Sequence, residues 1–349
     1  MWRNISNIKK IDTKLIDKGV ALRSYFEDKR ILITGGLGFL GSNLAHKLVN
    51  LGSEVTVIDN LNPRYGGNIF NISGIEKKVN LIINDIRNIE AINAYLANAD
   101  VIYHFAAQVS YIDALDIPLE DQDLNAKSTL LLLEFLRKNN PSCKVIFSSS
   151  RMVLGKVEGE LMKETSPTNP LSLYGIHKLT SEKYLQMYYK DFAIPSVILR
   201  ITNPYGIRQQ IKHNKYSLVG WFIRQAMENK DITIFGEGNQ LRDYIYVDDM
   251  VEGFLRVAES DNAFGEIINL GSGVSTKFVD MVRTIINVVE SGSIKFVPWP
   301  SNYENIETGD IKTDLSKLEK ITGFTPSVSL EEGILKTYQY YKNNIKYYL

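Results

Sequence analysis

The sequence predicts an α/β protein: a doubly wound parallel sheet with a smaller second α/β lobe toward the C-terminus. Three observations predict it. Strand-length apolar runs alternate with helical stretches from Arg30 to Ser150. Gly36-Leu-Gly38-Phe-Leu-Gly41, a G-x-G-x-x-G turn, stands between the first such run and the first helix. Beyond Arg200 the alternation gives way to a polar, loop-rich stretch, in a chain whose 349 residues are many for one compact unit.

Residues 1–28 carry Ile5, Ile8, Ile11, Leu15, Val20 and Leu22 at loosely helical spacing without a signal-peptide core. They read as an N-terminal extension lying on the surface or on a partner subunit. The first strand is 31–34, and the helix after the glycine turn spans 38–50. In such a turn one glycine reverses the chain, one admits a pyrophosphate close to the backbone, and one lets the helix pack on its strand. Gly35, Gly38, Phe39, Leu40 and Gly41 are thereby set against phosphates, which the N–H groups and dipole of a helix N-terminus favour. The second strand, 55–58, runs into Asp59 and Asn60. Asp59 lies 23 residues beyond Gly36, where a ribose-binding carboxylate is expected. A carboxylate there repels a 2′-phosphate and so selects NAD over NADP.

Strands at 79–83, 101–105 and 144–148 and helices at 88–98 and 120–138 continue the rhythm. Their C-terminal ends bring Gly36, Asp59, Asp85, His104 and Ser148 to Ser150 to one cleft. The runs 119–136, with Leu130-Leu-Leu-Leu133, and 171–189 are apolar on more than one face, so they pack either in the core or against a second subunit. The domain boundaries follow. Residues 29–202 form the dinucleotide-binding unit, to which 240–272 return, and 203–239 with 273–349 form the second lobe. Lys plus Arg equals Asp plus Glu at 40 each, which leaves no net field for nucleic acid or an anionic membrane. Cys143 stands alone, which excludes an internal disulfide and fits a reducing cytoplasm, and no apolar run reaches membrane-spanning length.

Tyr174-Gly-Ile-His-Lys178 projects a phenol and an ammonium from one side of a helix. Ser150, 24 residues earlier, ends a strand at the same cleft. A phenol of pKa about 10 is a poor base, but a nearby ammonium and a bound nicotinamide cation favour the phenolate. It can then take a proton from a sugar hydroxyl while a serine hydroxyl bonds the developing carbonyl.

Thr34 to Gly41, Asp59-Asn-Leu61, Asn84-Asp-Ile86, His104-Phe-Ala-Ala-Gln108, Phe147-Ser-Ser-Ser150, Tyr174 to Lys178, Arg200 to Gly206 and Arg242 to Asp249 together resemble the extended short-chain dehydrogenase/reductase family. The match is to its nucleotide-sugar epimerase and dehydratase branch, and it covers the chain from about residue 29 onward. The resemblance implies a Rossmann-type sheet with a smaller C-terminal α/β substrate-binding lobe, tightly held NAD, a nucleotide-diphosphate sugar as substrate, and a homodimer built on two helices of each subunit. It makes Tyr174 the base, Lys178 its electrostatic partner and a nicotinamide-ribose ligand, and Ser150 the hydroxyl at the reacting oxygen. It sets Asp59 and Asn60 at the adenosine ribose and Asp85 and Ile86 at the adenine. Phe105, Ala106, Ala107, Gln108, Asn125 and Ser148 lie along the rest of the cofactor. Ser110, Ser150, Arg151, Asn203, Trp221 and Arg242 lie along the sugar nucleotide. Taken from the residues alone, Asp85 could instead cap a turn, Phe105 could belong to the core, and Arg242 could pair with Asp243 or Asp248.

Departures from the family pattern narrow the reaction. Members that catalyse 4,6-dehydration carry an acidic pair after the active-site Ser or Thr, because β-elimination needs a second acid and base. Arg151 and Met152 stand there instead, which argues against dehydration and, with no glutamate, against uronic-acid decarboxylation. Epimerisation at C4 through a 4-keto sugar remains. The alternatives are 2-epimerisation, dehydration, 4-ketoreduction, or NAD binding without turnover. Leu154 replaces a tyrosine frequent in relatives, and 303–310 lacks a second diphosphate arginine for which Arg208 or Lys212 could substitute. Residues 209–216 and Gly220-Trp-Phe222 are similar to 2-epimerases of CDP-linked dideoxyhexoses. His104, His177, His213 and Cys143 lack metal-ligand spacing, so no metal is expected.

Overall fold

The computed structural model describes residues 13–62, 64–157, 161–216, 218–299 and 309–349. Helix α1 (Thr13–Phe26) leads into β1 (Arg30–Thr34), α2 (Phe39–Leu51), β2 (Glu54–Asp59), β3 (Val79–Ile83), α3 (Ile89–Asn98) and β4 (Val101–His104). Then come α4 (Asp113–Asp116), α5 (Pro118–Gln122), α6 (Ser128–Asn139), β5 (Lys144–Ser150), α7 (Leu173–Phe192), β6 (Ser196–Ile201) and β7 (Asn203–Tyr205). The C-terminal part holds α8 (Leu218–Met227), β8 (Asp231–Phe235), β9 (Leu241–Tyr246), α9 (Val247–Glu259), β10 (Ile267–Leu270), β11 (Ser275–Lys277), α10 (Phe278–Val289), β12 (Ser293–Val297), α11 (Ser316–Thr322) and α12 (Leu330–Asn344).

Seven strands form one parallel sheet in the order β10-β6-β5-β4-β1-β2-β3. The interior strands are buried on both faces, as a parallel sheet covered by helices requires. The order reverses between β1 and β4, so the crevice above their C-terminal ends is open to a ligand. Strand β10 pairs with β6, so 267–270 return to the large sheet from the C-terminal part. Beside it stand a β11-β9-β7 sheet and a parallel β12-β8 pair.

Three features differ from the expectations. The strands read from the sequence do not include 196–201; β6 forms there with Arg200 buried. The helix expected over 120–138 is broken into α5, a π turn at Asp123–Lys127, and α6. There Ser181 Oγ donates to the Asn125 carbonyl at 2.6 Å, taking it from the helical ladder. The N-terminal segment is more than a surface layer, for Leu22 and Phe26 of α1 are buried in the main core and Tyr25 donates to Ala258 O at 2.7 Å. Leu132 and Leu133 are likewise fully buried.

Arg200 is neutralised inside the protein. Its Nε and Nη2 donate to the two oxygens of Glu182 on α7, at 3.0 and 2.7 Å, and Ser149 Oγ of β5 donates to the same carboxylate at 2.6 Å. Both charged side chains are at most 2 % exposed. Glu182→Ala leaves an uncompensated guanidinium in the core and is expected to cost about 3–5 kcal/mol in urea denaturation; a loss below about 1 kcal/mol would show the pair to be dispensable.

Candidate active site

At the end of β1, Thr34 Oγ1 accepts the N–H groups of Phe105 and Ala106, both at 3.1 Å, which laces β1 to the end of β4. The chain then turns at Gly35, whose φ of +70° suits glycine. A Cβ on Gly35 would stand 2.9 Å from Ala106 N, and one on Gly41 would stand 2.7 Å from Gly36 Cα. Helix α2 starts at Gly38 with no side-chain cap. Gly38, Phe39, Leu40 and Gly41 line a cavity of about 700 Å³, so the first-turn N–H groups of α2 are aimed at its contents.

Asp59 lines this cavity and is nearly buried. Burial pushes its carboxyl up, against the N–H groups of Leu61 and Leu37, which donate to it at 2.8 and 3.0 Å. Asn60, Ile86, Phe105, Ala106 and Ala107 line the same space. Asp85 is not among the lining residues. Arg87 grips it through two hydrogen bonds of 2.8 Å, and that guanidinium holds its carboxyl down to about 2.

The catalytic candidates converge. Ser172 caps α7 by accepting from Gly175 N at 3.1 Å. Gly175 lets the helix press on the turn Arg151–Val153, since a Cβ there would lie 2.6 Å from Met152 O. Tyr174 and Ser150 are hydrogen-bonded through their side chains and both line the cavity. One turn along, Lys178 is 2 % exposed and donates to Ser148 O at 3.0 Å, its Nζ 4.7 Å from the Phe147 ring centroid. Burial pushes the Tyr174 phenol well up, opposed by Ser150 and aided by the Asp121 carboxylate. Desolvation dominates among the protein's own groups. Burial also drags Lys178 down to about 8, with Asp121 and Glu182 holding it up.

Behind this wall lies a buried polar layer that the sequence reading distributed along the ligands. Asp121 bonds His177 Nδ1 and accepts from Asn125 Nδ2 at 3.0 Å. Asn125 also donates to Gln108 O at 2.9 Å, and Gln108 Nε2 donates to Ser110 O at 2.6 Å. Ser110 Oγ accepts from Asp113 N at 3.1 Å. Gln108, Ser110, Asn125, Ser148 and Lys178 are not among the residues that line the cavity.

Arg151, Asn203, Trp221, Arg242, Tyr244, Phe235 and Trp299 line the same cavity. Asn203 Nδ2 donates to Asp243 O at 2.9 Å, and Arg242 Nη1 to the carbonyls of Leu241 and Gly309 at 2.8 and 2.9 Å. Asp243 accepts from Ser272 and Gly273, and Asp248 faces Lys336 at 3.8 Å. Arg208 donates to Asn43 Oδ1 at 2.8 Å, and neither it nor Lys212 is among the lining residues. Most of the segment 303–310 lies outside the described residues. Sequence reasoning missed two contacts made by Lys215 and Tyr216, which line the cavity. Lys215 pairs with Asp113 at 2.7 Å, and Tyr216 donates to Arg64 O at 2.9 Å. No local pattern signals these contacts between segments far apart in the chain. Among the described residues, no group of three or more His, Cys, Asp or Glu comes together to hold a metal, and no helix is long and apolar enough to cross a membrane.

The family model described as the NAD dependent epimerase/dehydratase family matches residues 31–271. A putative UDP-glucose 4-epimerase of Methanocaldococcus jannaschii is 33% identical over 314 residues, 90% of this chain and 99% of that protein. A CDP-paratose 2-epimerase of Salmonella typhi is 29% identical, over 89% of this chain and 98% of that one. A structure of UDP-glucuronic acid 4-epimerase from Bacillus cereus, in complex with UDP-4-deoxy-4-fluoro-glucuronic acid and NAD, has a TM-score of 0.79 at 30% identity, over 90% of this chain and 99% of that one.

The ammonium of Lys178 is expected to titrate near 8, below the usual lysine value, in an NMR titration of labelled lysine side chains. Asp121→Asn removes a charge that holds it up, so the midpoint moves lower. An unmoved midpoint would mean that Asp121 does not act on Lys178.

Proposed function

The chain belongs to the NAD dependent epimerase/dehydratase family, and from that premise we propose that it inverts C4 of a nucleotide-diphosphate sugar through a transient 4-ketone. The observation that carries the reading is the pairing of Ser150 with Tyr174 at a cavity wall continued by Arg151 and Met152. An arginine does not exchange protons at neutral pH, and methionine has none to exchange. The acids among the described lining residues, Asp59 and Asp231, belong to β2 and β8. Proton transfer at the sugar thus falls to one base, which suits inversion and not elimination.

The cofactor is NAD, and the chain has a cradle that fits it: glycines that admit no Cβ, an uncapped helix N-terminus, and a carboxylate at the end of β2. Held there by the glycine turn and Asp59, NAD would supply a reversible hydride acceptor for the sugar carbon. The residues do the rest. Tyr174 removes the C4 hydroxyl proton and later gives it back, and the Ser150 hydroxyl donates to the developing carbonyl oxygen. Lys178 supplies positive charge beneath the phenol and a ligand for the nicotinamide ribose. Asp59 accepts from the adenosine ribose, and each of its oxygens keeps a lone pair beyond its backbone bond. Asn203 and Arg242 hold the diphosphate.

Residues 203–239 and 273–349 act as the substrate lobe over the 29–202 unit. The protein works in the cytoplasm as a homodimer. Exposed Leu119 of α5 and Ile176, Met187 and Phe192 of α7 support an apolar contact between subunits. The likeness to a CDP-paratose 2-epimerase supports a second reading, inversion at C2.

NMR of the purified protein with UDP-, GDP-, dTDP- and CDP-sugars decides between them. Inversion at C4 is expected, inversion at C2 alone would support the second reading, and no change at any centre would overturn both. Tyr174→Phe is expected to lower kcat by at least about 100-fold with NAD content retained; a near-normal rate would put the base elsewhere. Asp59→Ala should weaken NAD and relax rejection of NADP, measured by cofactor titration, and an unchanged preference refutes the ribose assignment.

A further inference from the structure

Resting on the reading above, the inference concerns which sugar the cavity takes. Arg242 and Tyr244 stand two residues apart on β9, so their side chains leave the strand on one face. Arg151 reaches the same cavity from the end of β5, directly after Ser150. Tyr244 is 8 % exposed, and its hydroxyl is buried with no hydrogen-bond partner among the described residues. The charges that act on that hydroxyl are Arg242 and Arg151. A buried hydroxyl left unbonded at a cavity that two guanidinium groups also line is costly unless a ligand completes it, and the ligand that suits all three groups is an anion.

Position within the sugar separates two sources of that anion. Ser150 is bonded to Tyr174, so both sit at the reacting C4 oxygen, and Arg151 follows Ser150 in the chain. In a hexose, C1, which bears the diphosphate, lies across the ring from C4. C6 is attached to C5, the neighbour of C4. We propose that Arg151 and the Tyr244 hydroxyl form a carboxylate site at C6, so that the preferred substrates are nucleotide-diphosphate hexuronates. Arg242 remains with the diphosphate.

The test is equilibrium binding, which reports on the site even if inversion at C4 fails in the NMR panel. NAD-loaded Tyr174→Phe protein is titrated calorimetrically with UDP-glucuronic acid against UDP-glucose. The titration is repeated with glucuronic acid 1-phosphate against glucose 1-phosphate, which carry no base. The uronate of each pair is expected to bind about 10- to 100-fold more tightly, the scale of a hydrogen bond to a charged group. Adding Arg151→Met should abolish that preference while leaving the hexose affinity within about threefold, and adding Tyr244→Phe should reduce it. Equal affinities within both pairs, no binding of any of the four ligands, or a preference that survives Arg151→Met overturns the proposal. Equal weakening of both members of a pair by Arg151→Met identifies the phosphate as the anion and overturns the carboxylate.

Discussion

The ion pair between Arg200 and Glu182 is the constraint on which the site depends. It joins β6 to α7, and the hydroxyl of Ser149 brings β5 into the same bond set. Glu182 lies one helical turn past Lys178, and Lys178 one turn past Tyr174. Fixing Glu182 against the sheet therefore sets the height of the other two above the end of β5. Gly175 sets the sideways approach, since only a residue without a Cβ lets α7 lie on the Met152 carbonyl. A buried pair contributes little net stability over an apolar substitute, but it holds one register of helix on sheet. Here the register is what brings the Tyr174 and Ser150 hydroxyls together.

Burial is the second organising effect. Desolvation raises the Tyr174 phenol at the cavity wall and lowers the Lys178 ammonium behind it, both toward neutrality. Both shifts favour uncharged forms, a protonated phenol beside a weakened ammonium. Asp121, buried against His177, acts on both groups and links their charge state to the break between α5 and α6. The π turn at Asp123–Lys127 serves this arrangement, because it turns Asn125 inward to Asp121 and to the Gln108 carbonyl.

Much of the site was legible from local pattern. The glycine turn, Asp59, and the Ser150, Tyr174 and Lys178 set all rest on spacing within one strand, turn or helix, and the structure brings them to one cavity or directly behind its lining. What was not legible rests on contacts between distant segments. Gln108, Ser110 and Asn125 are polar residues near the right strand ends, and sequence alone does not say whether such a residue faces the ligand or the layer behind it. Strand β6 carries a charge at Arg200, and only its partner Glu182 explains a charge at that position. The cavity-lining residues Lys215 and Tyr216 meet Asp113 and Arg64, pairings that no periodicity encodes.

The sequence by itself determined the parallel sheet, the dinucleotide turn and the phenol–ammonium helix, because each follows from hydrophobic period, glycine backbone freedom or the 3.6-residue turn. Only the tertiary structure decided how those parts are charged and aimed. Desolvation, the Asp121 field, and the convergence of Arg151, Arg242 and Tyr244 arise from groups far apart in the chain, and their energies depend on distances that exist only after the sheet has closed around them.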